Sequence, residues 1–203
     1  MWRKRLLRIA VAGSAGLAVA ALVAWWQVSQ VGPGTGGGSA AVGGARVGGP
    51  FTLTDHTGRT VTDEAFRGRL MLVYFGFTYC PDVCPTDLQV LAETLDQLGP
   101  AADQVRPLFV TVDPERDTPS RMAEYVALFD ARLTGLTGTP EQIREAARAY
   151  KVYYAKAKGS DPDSYTMDHS AYIYLMDRNG GFLEVFPHGT TSDRVADAVR
   201  KRL

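Results

Sequence analysis

Cys80 and Cys84 are the only two cysteines in the chain and stand four positions apart in Cys80-Pro81-Asp82-Val83-Cys84-Pro85. Two soft sulfurs at this spacing suit either of two chemistries, sharing a soft metal ion or closing a disulfide, and the two compete for the same atoms. If the segment winds, a spacing of four sets both side chains on one side of a helical turn. Pro85 followed by Thr86, Asp87 and Leu88 predicts a helix start, with Cys84 near the N-cap and Pro85 at the first helical position. Unpaired backbone N–H groups and the positive end of the helix dipole stabilise anionic sulfur there, which readies the pair for a metal or for exchange. Two small core hydrophobes would not be expected between flanking prolines with Asp82 among them.

The elements around this segment decide what else reaches it. Phe51 to Val61 reads as a small hairpin turning at Asp55-His56-Thr57-Gly58, which makes His56 a turn residue. Leu70 to Phe77 is a continuous apolar run, a buried central strand leading straight into Cys80. Leu88, Leu91, Leu95 and Leu98 recur at helical spacing up to Gly99-Pro100. A second buried strand spans Val105 to Val112, and Thr118-Pro119 opens a helix carrying Met122, Tyr125, Val126 and Phe129. A weaker strand (133–136), a helix from Thr139-Pro140 to Tyr150 and a short strand (152–155) follow. Lys156 to Thr166 is a loop or a loosely held hairpin leading into Met167-Asp168-His169-Ser170. Ala171 to Asp177 and Phe182 to Phe186 then form a hairpin, and a helix from about Thr191 closes the chain.

This order predicts an α/β fold, a mixed sheet flanked by helices with an N-terminal hairpin, and it resembles the order of thioredoxin-like proteins. In that topology the cysteines lie at the end of the first central strand, and the loop entering the C-terminal hairpin packs against them, usually through a cis-proline. Here that loop carries Asp168 and His169, so the topology brings the His169 imidazole to the sulfurs. Two sulfurs and one imidazole suit Cu(I) and accept Cu(II) with an added ligand, whereas structural zinc usually wants a fourth protein ligand. His188 or a carboxylate is the candidate for that fourth position, although His188 reads as a loop residue. Asp82 and Asp168 are candidates to orient the ligands or tune their basicity from outside.

The N-terminus bears on the compartment. Arg3, Lys4, Arg5 and Arg8 precede an uncharged run of 18 residues, Ile9 to Trp26. At about 1.5 Å per residue this run reaches most of the way across a hydrocarbon core, with the basic flank on the cytoplasmic side. Residues 1–28 are expected to form a single membrane-spanning helix, with a signal peptide cleaved near Ala18-Val19-Ala20 as the alternative. Residues 29–50, rich in glycine and alanine, form a flexible linker, and 51–203 one domain. The chain is balanced at 22 basic and 22 acidic residues, but five of the basic ones precede residue 51 and no acidic one does. The domain is therefore mildly acidic, which argues against nucleic acid as a partner.

Three stretches together resemble the SCO/SenC family of copper-binding, thioredoxin-fold assembly factors of cytochrome c oxidase. They are Tyr79-Cys80-Pro81-Asp82-Val83-Cys84-Pro85, then Val112-Asp113-Pro114-Glu115-Arg116-Asp117-Thr118-Pro119, then Asp168-His169-Ser170. The resemblance implies copper binding by Cys80, Cys84 and His169, with Cys80 and Cys84 also able to pair as a disulfide. It implies delivery of copper to cytochrome c oxidase subunit II, and another periplasmic copper chaperone as a further partner. The alternative it permits is a thiol–disulfide oxidoreductase cycling the two cysteines. The expected location is the bacterial inner membrane, single-pass, with the C-terminal domain in the periplasm.

Overall fold

The computed structural model describes residues 46–157 and 165–203. The expected anchor, the linker as far as residue 45 and positions 158–164 of the expected loop lie outside the described residues. Among the described residues no helix is long and apolar enough to cross a membrane.

The strands are β1 (Thr52–Asp55), β2 (Thr60–Thr62), β3 (Leu70–Gly76), β4 (Val105–Thr111), β5 (Thr134–Thr137), β6 (Tyr154–Lys156), β7 (Met167–His169), β8 (Tyr172–Met176) and β9 (Phe182–Pro187). The helices are α1 (Val83–Leu98), α2 (Pro119–Val126), α3 (Pro140–Tyr150) and α4 (Ser192–Arg200). Seven strands make one mixed sheet in the order β2-β1-β5-β4-β3-β8-β9, while β6 and β7 pair separately. β3, β4 and β5 run parallel, and β8 lies antiparallel on the other side of β3. β3 is buried along its whole length, as its unbroken apolar run requires of a strand covered on both faces. Successive side chains alternate between the faces. Phe75 packs against Tyr150 of α3 with ring centroids 5.3 Å apart, and Gly76 faces Cys84 of α1.

Helix boundaries follow their caps. Thr118, Thr139 and Thr191 each accept a backbone N–H through their side chains at the starts of α2, α3 and α4, and Thr139 with Gln142 completes a capping box. The expected hairpins at both ends are present. Three expectations need correcting. α1 starts at Val83 with Asp82 as N-cap, so Pro85 sits at the third helical position, where its missing N–H is still one that no helical carbonyl awaits. The strand expected at 152–155 is displaced to Tyr154–Lys156. The stretch around His169, expected to be a loop, is strand β7, because Met167, Asp168 and His169 find partners in Lys156, Ala155 and Tyr154. No cis peptide occurs among the described residues, so no cis-proline stands at the site.

His56 is indeed a turn residue, and it ties the hairpin to β5: its backbone N–H donates to Gly135 O, and its Nδ1 accepts from Gly135 N at 2.9 Å. Beside it, burial alone would raise the Asp55 pKa. Hydrogen bonds from the Thr57 hydroxyl, the Arg59 backbone and side chain, and the Thr57 backbone outweigh that and lower it from 3.8 to about 2. A depressed carboxyl contributes stability above its unfolded pKa and loses it as pH falls through the folded value. Asp55→Asn is expected to cost roughly 2 kcal/mol at pH 7 and to flatten the loss of stability between about pH 4 and pH 2, measured by urea unfolding across that range.

Candidate metal centre

β3 ends at Gly76, and the chain turns through Phe77, Thr78 and Tyr79 so that the Cys80 N–H donates to Phe77 O at 3.2 Å. Cys80 stands just before α1 and Cys84 on its first turn, so only part of the segment winds. The Cys84 N–H donates to Cys80 Sγ at 3.3 Å, and Cys84 Sγ lies 3.4 Å from His169 Nε2. One ligand atom from each of Cys80, Cys84 and His169 lies within 4.8 Å of the others, and this is the one such cluster of potential metal ligands among the described residues. Both cysteines are free thiols. Cys84 is fully buried, while Cys80 and His169 are half-buried.

The imidazole is held in one orientation. Phe77 and Tyr74 meet it edge-on at 5.8 and 6.3 Å between ring centroids, and its Nδ1 lies 3.1 Å from the Ser170 carbonyl oxygen. A carbonyl can only accept, so Nδ1 donates to it and Nε2 is the ring nitrogen that faces the sulfurs.

The expectation that the helix N-terminus lowers both thiols holds for only one. The hydrogen bond from Cys84 lowers Cys80; burial opposes it, but His169 and the backbone N–H groups of Asp82 and Cys84 add to it, and Cys80 reaches about 4. Cys84 is pushed up, first by donating its proton to Cys80, then by burial and by the negative charge beside it. At neutral pH the pair is therefore one thiolate and one thiol. A metal bound by both sulfurs displaces only the Cys84 proton. Cu(I) loading at pH 7 is expected to release about one proton per ion, where two ordinary thiols would release about two, as read by an indicator dye in weak buffer.

Gly76 lies beneath Cys84: a Cβ on it would stand 2.8 Å from Cys84 Sγ and 3.0 Å from the rings of Phe109 and Tyr74. Only glycine lets the sulfur settle onto the strand. Asp87, one turn along α1, is buried and bonds His188 Nδ1 at 2.9 Å. Burial raises the Asp87 pKa against the lowering effect of His188. His188 is thus a loop residue engaged with a carboxylate, and neither partner joins the ligand cluster. Asp82 and Asp168 are exposed, and neither carboxylate bonds the ligand side chains; Asp82 acts on Cys80 through its backbone N–H. Gly76, Asp87 and Tyr74 were not singled out from the sequence, although a glycine ending an otherwise bulky strand signals close approach.

A two-sulfur, one-imidazole set, with no fourth ligand among the described residues, suits copper better than structural zinc. Comparison with known proteins agrees. The SCO1/SenC family model matches residues 39–203. Protein sco1 of Schizosaccharomyces pombe is 44% identical over 163 residues, 79% of this chain and 62% of that protein. The chain thus spans less than two thirds of the length of the first curated relatives it matches. Bradyrhizobium japonicum ScoI, solved with copper bound, is 46% identical with a TM-score of 0.72, covering 77% of this chain and 99% of that one. BsSco, described as a member of the Sco family of cytochrome c oxidase assembly proteins with a disulfide switch, is 25% identical with a TM-score of 0.64, covering 77% and 94%. With a thioredoxin-like sheet, the two cysteines at its strand end and the histidine beside them, this chain belongs to the SCO1/SenC family.

Proposed function

We propose that this chain is a membrane-tethered copper metallochaperone that holds one copper ion through Cys80, Cys84 and His169 and delivers it to the copper site of cytochrome c oxidase subunit II during assembly. Residues 1–28 anchor it in the bacterial inner membrane, 29–50 are the tether, and 51–203 work in the periplasm, with another periplasmic copper chaperone as a further partner. The observation that carries this reading is the convergence of three ligand atoms within 4.8 Å from two separate segments of the chain. Its setting suits transfer. Cys80 and His169 are partly exposed, so an acceptor's ligands can replace them one at a time while buried Cys84 still holds the ion.

The test is Cu(I) titration of the full-length protein against a chromophoric chelator without oxygen, followed by mixing of the loaded protein with metal-free oxidase subunit II. Tight binding of one copper and its appearance on the acceptor are the expected results. Tight binding without transfer would overturn the delivery step, and failure to compete with the chelator would overturn the copper site itself.

A second reading, thiol–disulfide exchange on the cysteines of the same subunit or of another exported protein, is favoured by the low-pKa Cys80 beside the protonated Cys84. The Cys80 thiolate would attack a substrate disulfide, Cys84 would displace the second sulfur, and both substrate thiols would leave as the Cys80–Cys84 disulfide forms.

A further inference from the structure

The two ligand-bearing segments lie on different parts of the fold. Cys80 follows β3 of the main sheet, whereas His169 ends β7, whose strand partner is β6 and not the main sheet. Something must fix the distance between them. The loop from Val112 to Thr118, which joins β4 to α2, touches both. Fully buried Asp117 accepts the backbone N–H of Thr78 at 3.0 Å, the Thr78 hydroxyl at 2.6 Å and the Thr111 hydroxyl at 2.6 Å, holding the cysteine side alone. Arg116 reaches both sides. Its guanidinium carbon lies 4.5 Å from the ring centre of Tyr79, the residue before Cys80, and 3.7 Å from that of Tyr165, four residues before His169. Its Nη1 donates to Tyr165 O at 2.9 Å. Buried Asp113 takes Arg116 Nε at 2.5 Å and the Tyr165 hydroxyl at 2.7 Å, fixing both members of the contact from below. A guanidinium stacks on aromatic faces while its edge hydrogen-bonds, which the compact lysine ammonium cannot reproduce.

We propose that Arg116 is a positioning residue for the metal centre, clamping Tyr79 to Tyr165 and so setting where the His169 imidazole stands relative to the two sulfurs. This deepens the copper-binding reading and rests on it. Glu115 and Lys156 reinforce the clamp from its outer side, paired at 2.8 Å with the Lys156 ammonium 4.2 Å from the Tyr165 ring centre. Ligand geometry depends on such outer contacts, whose loss typically costs about 10- to 100-fold in metal affinity.

The test compares full-length Arg116→Met, Arg116→Lys and Tyr79→Leu with the unaltered protein. Two readouts are used: the Cu(II) electron paramagnetic resonance and thiolate charge-transfer spectra, and backbone hydrogen exchange of the metal-free protein. Arg116→Met is expected to lower Cu(II) affinity by about 10- to 100-fold, to move the spectra toward those of His169→Ala, and to speed exchange across residues 165–170 while α1 stays protected. Tyr79 is 54% exposed, so Tyr79→Leu should fold even if Arg116→Met does not, and it should shift both readouts in the same direction. Native spectra and native exchange in Tyr79→Leu, or in an Arg116→Met that only melts earlier, would overturn the clamp, as would full rescue by Arg116→Lys. Hydrogen exchange needs no copper. If the unaltered protein binds no metal while exchange still quickens in the variants, the copper reading falls and the clamp stands.

Discussion

Cys84→Ala is expected to abolish tight copper binding while leaving the fold intact. Cys84 is fully buried over Gly76, and alanine in its place removes only one heavy atom from a packed position. The metal loses its innermost anion and keeps one thiolate and one imidazole. A four-ligand zinc site supplies about 10–16 kcal/mol, so one thiolate carries on the order of 2.5–4 kcal/mol, and loss of Cys84 should weaken Cu(I) binding by roughly two to three orders of magnitude. Chelator competition with the reduced protein reads this directly, and a loss of less than about tenfold would remove Cys84 from the ligand set. The same substitution removes the strongest of the hydrogen bonds to Cys80 and keeps those from His169 and the backbone, so the Cys80 pKa should rise from about 4 toward the ordinary thiol value. Alkylation of the variant by iodoacetamide should accordingly fade at a higher pH than in a protein that retains Cys84. Agreement of the two readouts would establish that the buried thiol both binds the ion and keeps its neighbour anionic.

The clustering of Cys80, Cys84 and His169 was legible in the sequence because their placement reflects topology. A continuous apolar strand ending in two cysteines, and a histidine just before a second strand, are patterns set by burial and by strand order, and these survive in a linear reading. The asymmetry of the sulfurs was not legible. Both sit at the same helix start, and only their contact in three dimensions, with Cys84 fully buried over Gly76 and Cys80 half-buried, makes one the donor and the other the anion. Nor was β7, since a three-residue strand is specified by its partner β6 more than by its own residues. His188 illustrates the same limit. Its Asp87 partner lies on α1, and no periodicity links a histidine after β9 to a carboxylate one turn beyond Cys84. Val112 to Pro119 read as strand-end and helix-start chemistry, which is correct for Thr118 and Pro119 but misses the links from Asp113, Arg116 and Asp117 to Thr78 and Tyr165, which are distant in the chain.

His169→Ala is expected to separate the two oxidation states of copper. Two thiolates alone hold Cu(I) in a linear geometry, so the variant should keep most of its Cu(I) affinity. Cu(II) prefers more ligands and nitrogen donors, and it should lose more than the roughly 100-fold that removal of an outer contact typically costs. Because the imidazole stabilises one oxidation state more than the other, its loss also raises the copper reduction potential in the variant relative to the native site. Parallel Cu(I) and Cu(II) titrations, with the Cu(II) spectrum followed for loss of its nitrogen ligand, read the effect. Equally tight binding of both states by His169→Ala would remove the histidine from the site. The same variant distinguishes the two functional readings, because disulfide formation between Cys80 and Cys84 needs only the two sulfurs. A protein that cycles its thiols without His169 but no longer supplies copper to subunit II is a metallochaperone whose redox chemistry is secondary. One that loses its effect on the oxidase only when the cysteines are removed works by thiol exchange, and the histidine then serves the thiolate and not the metal.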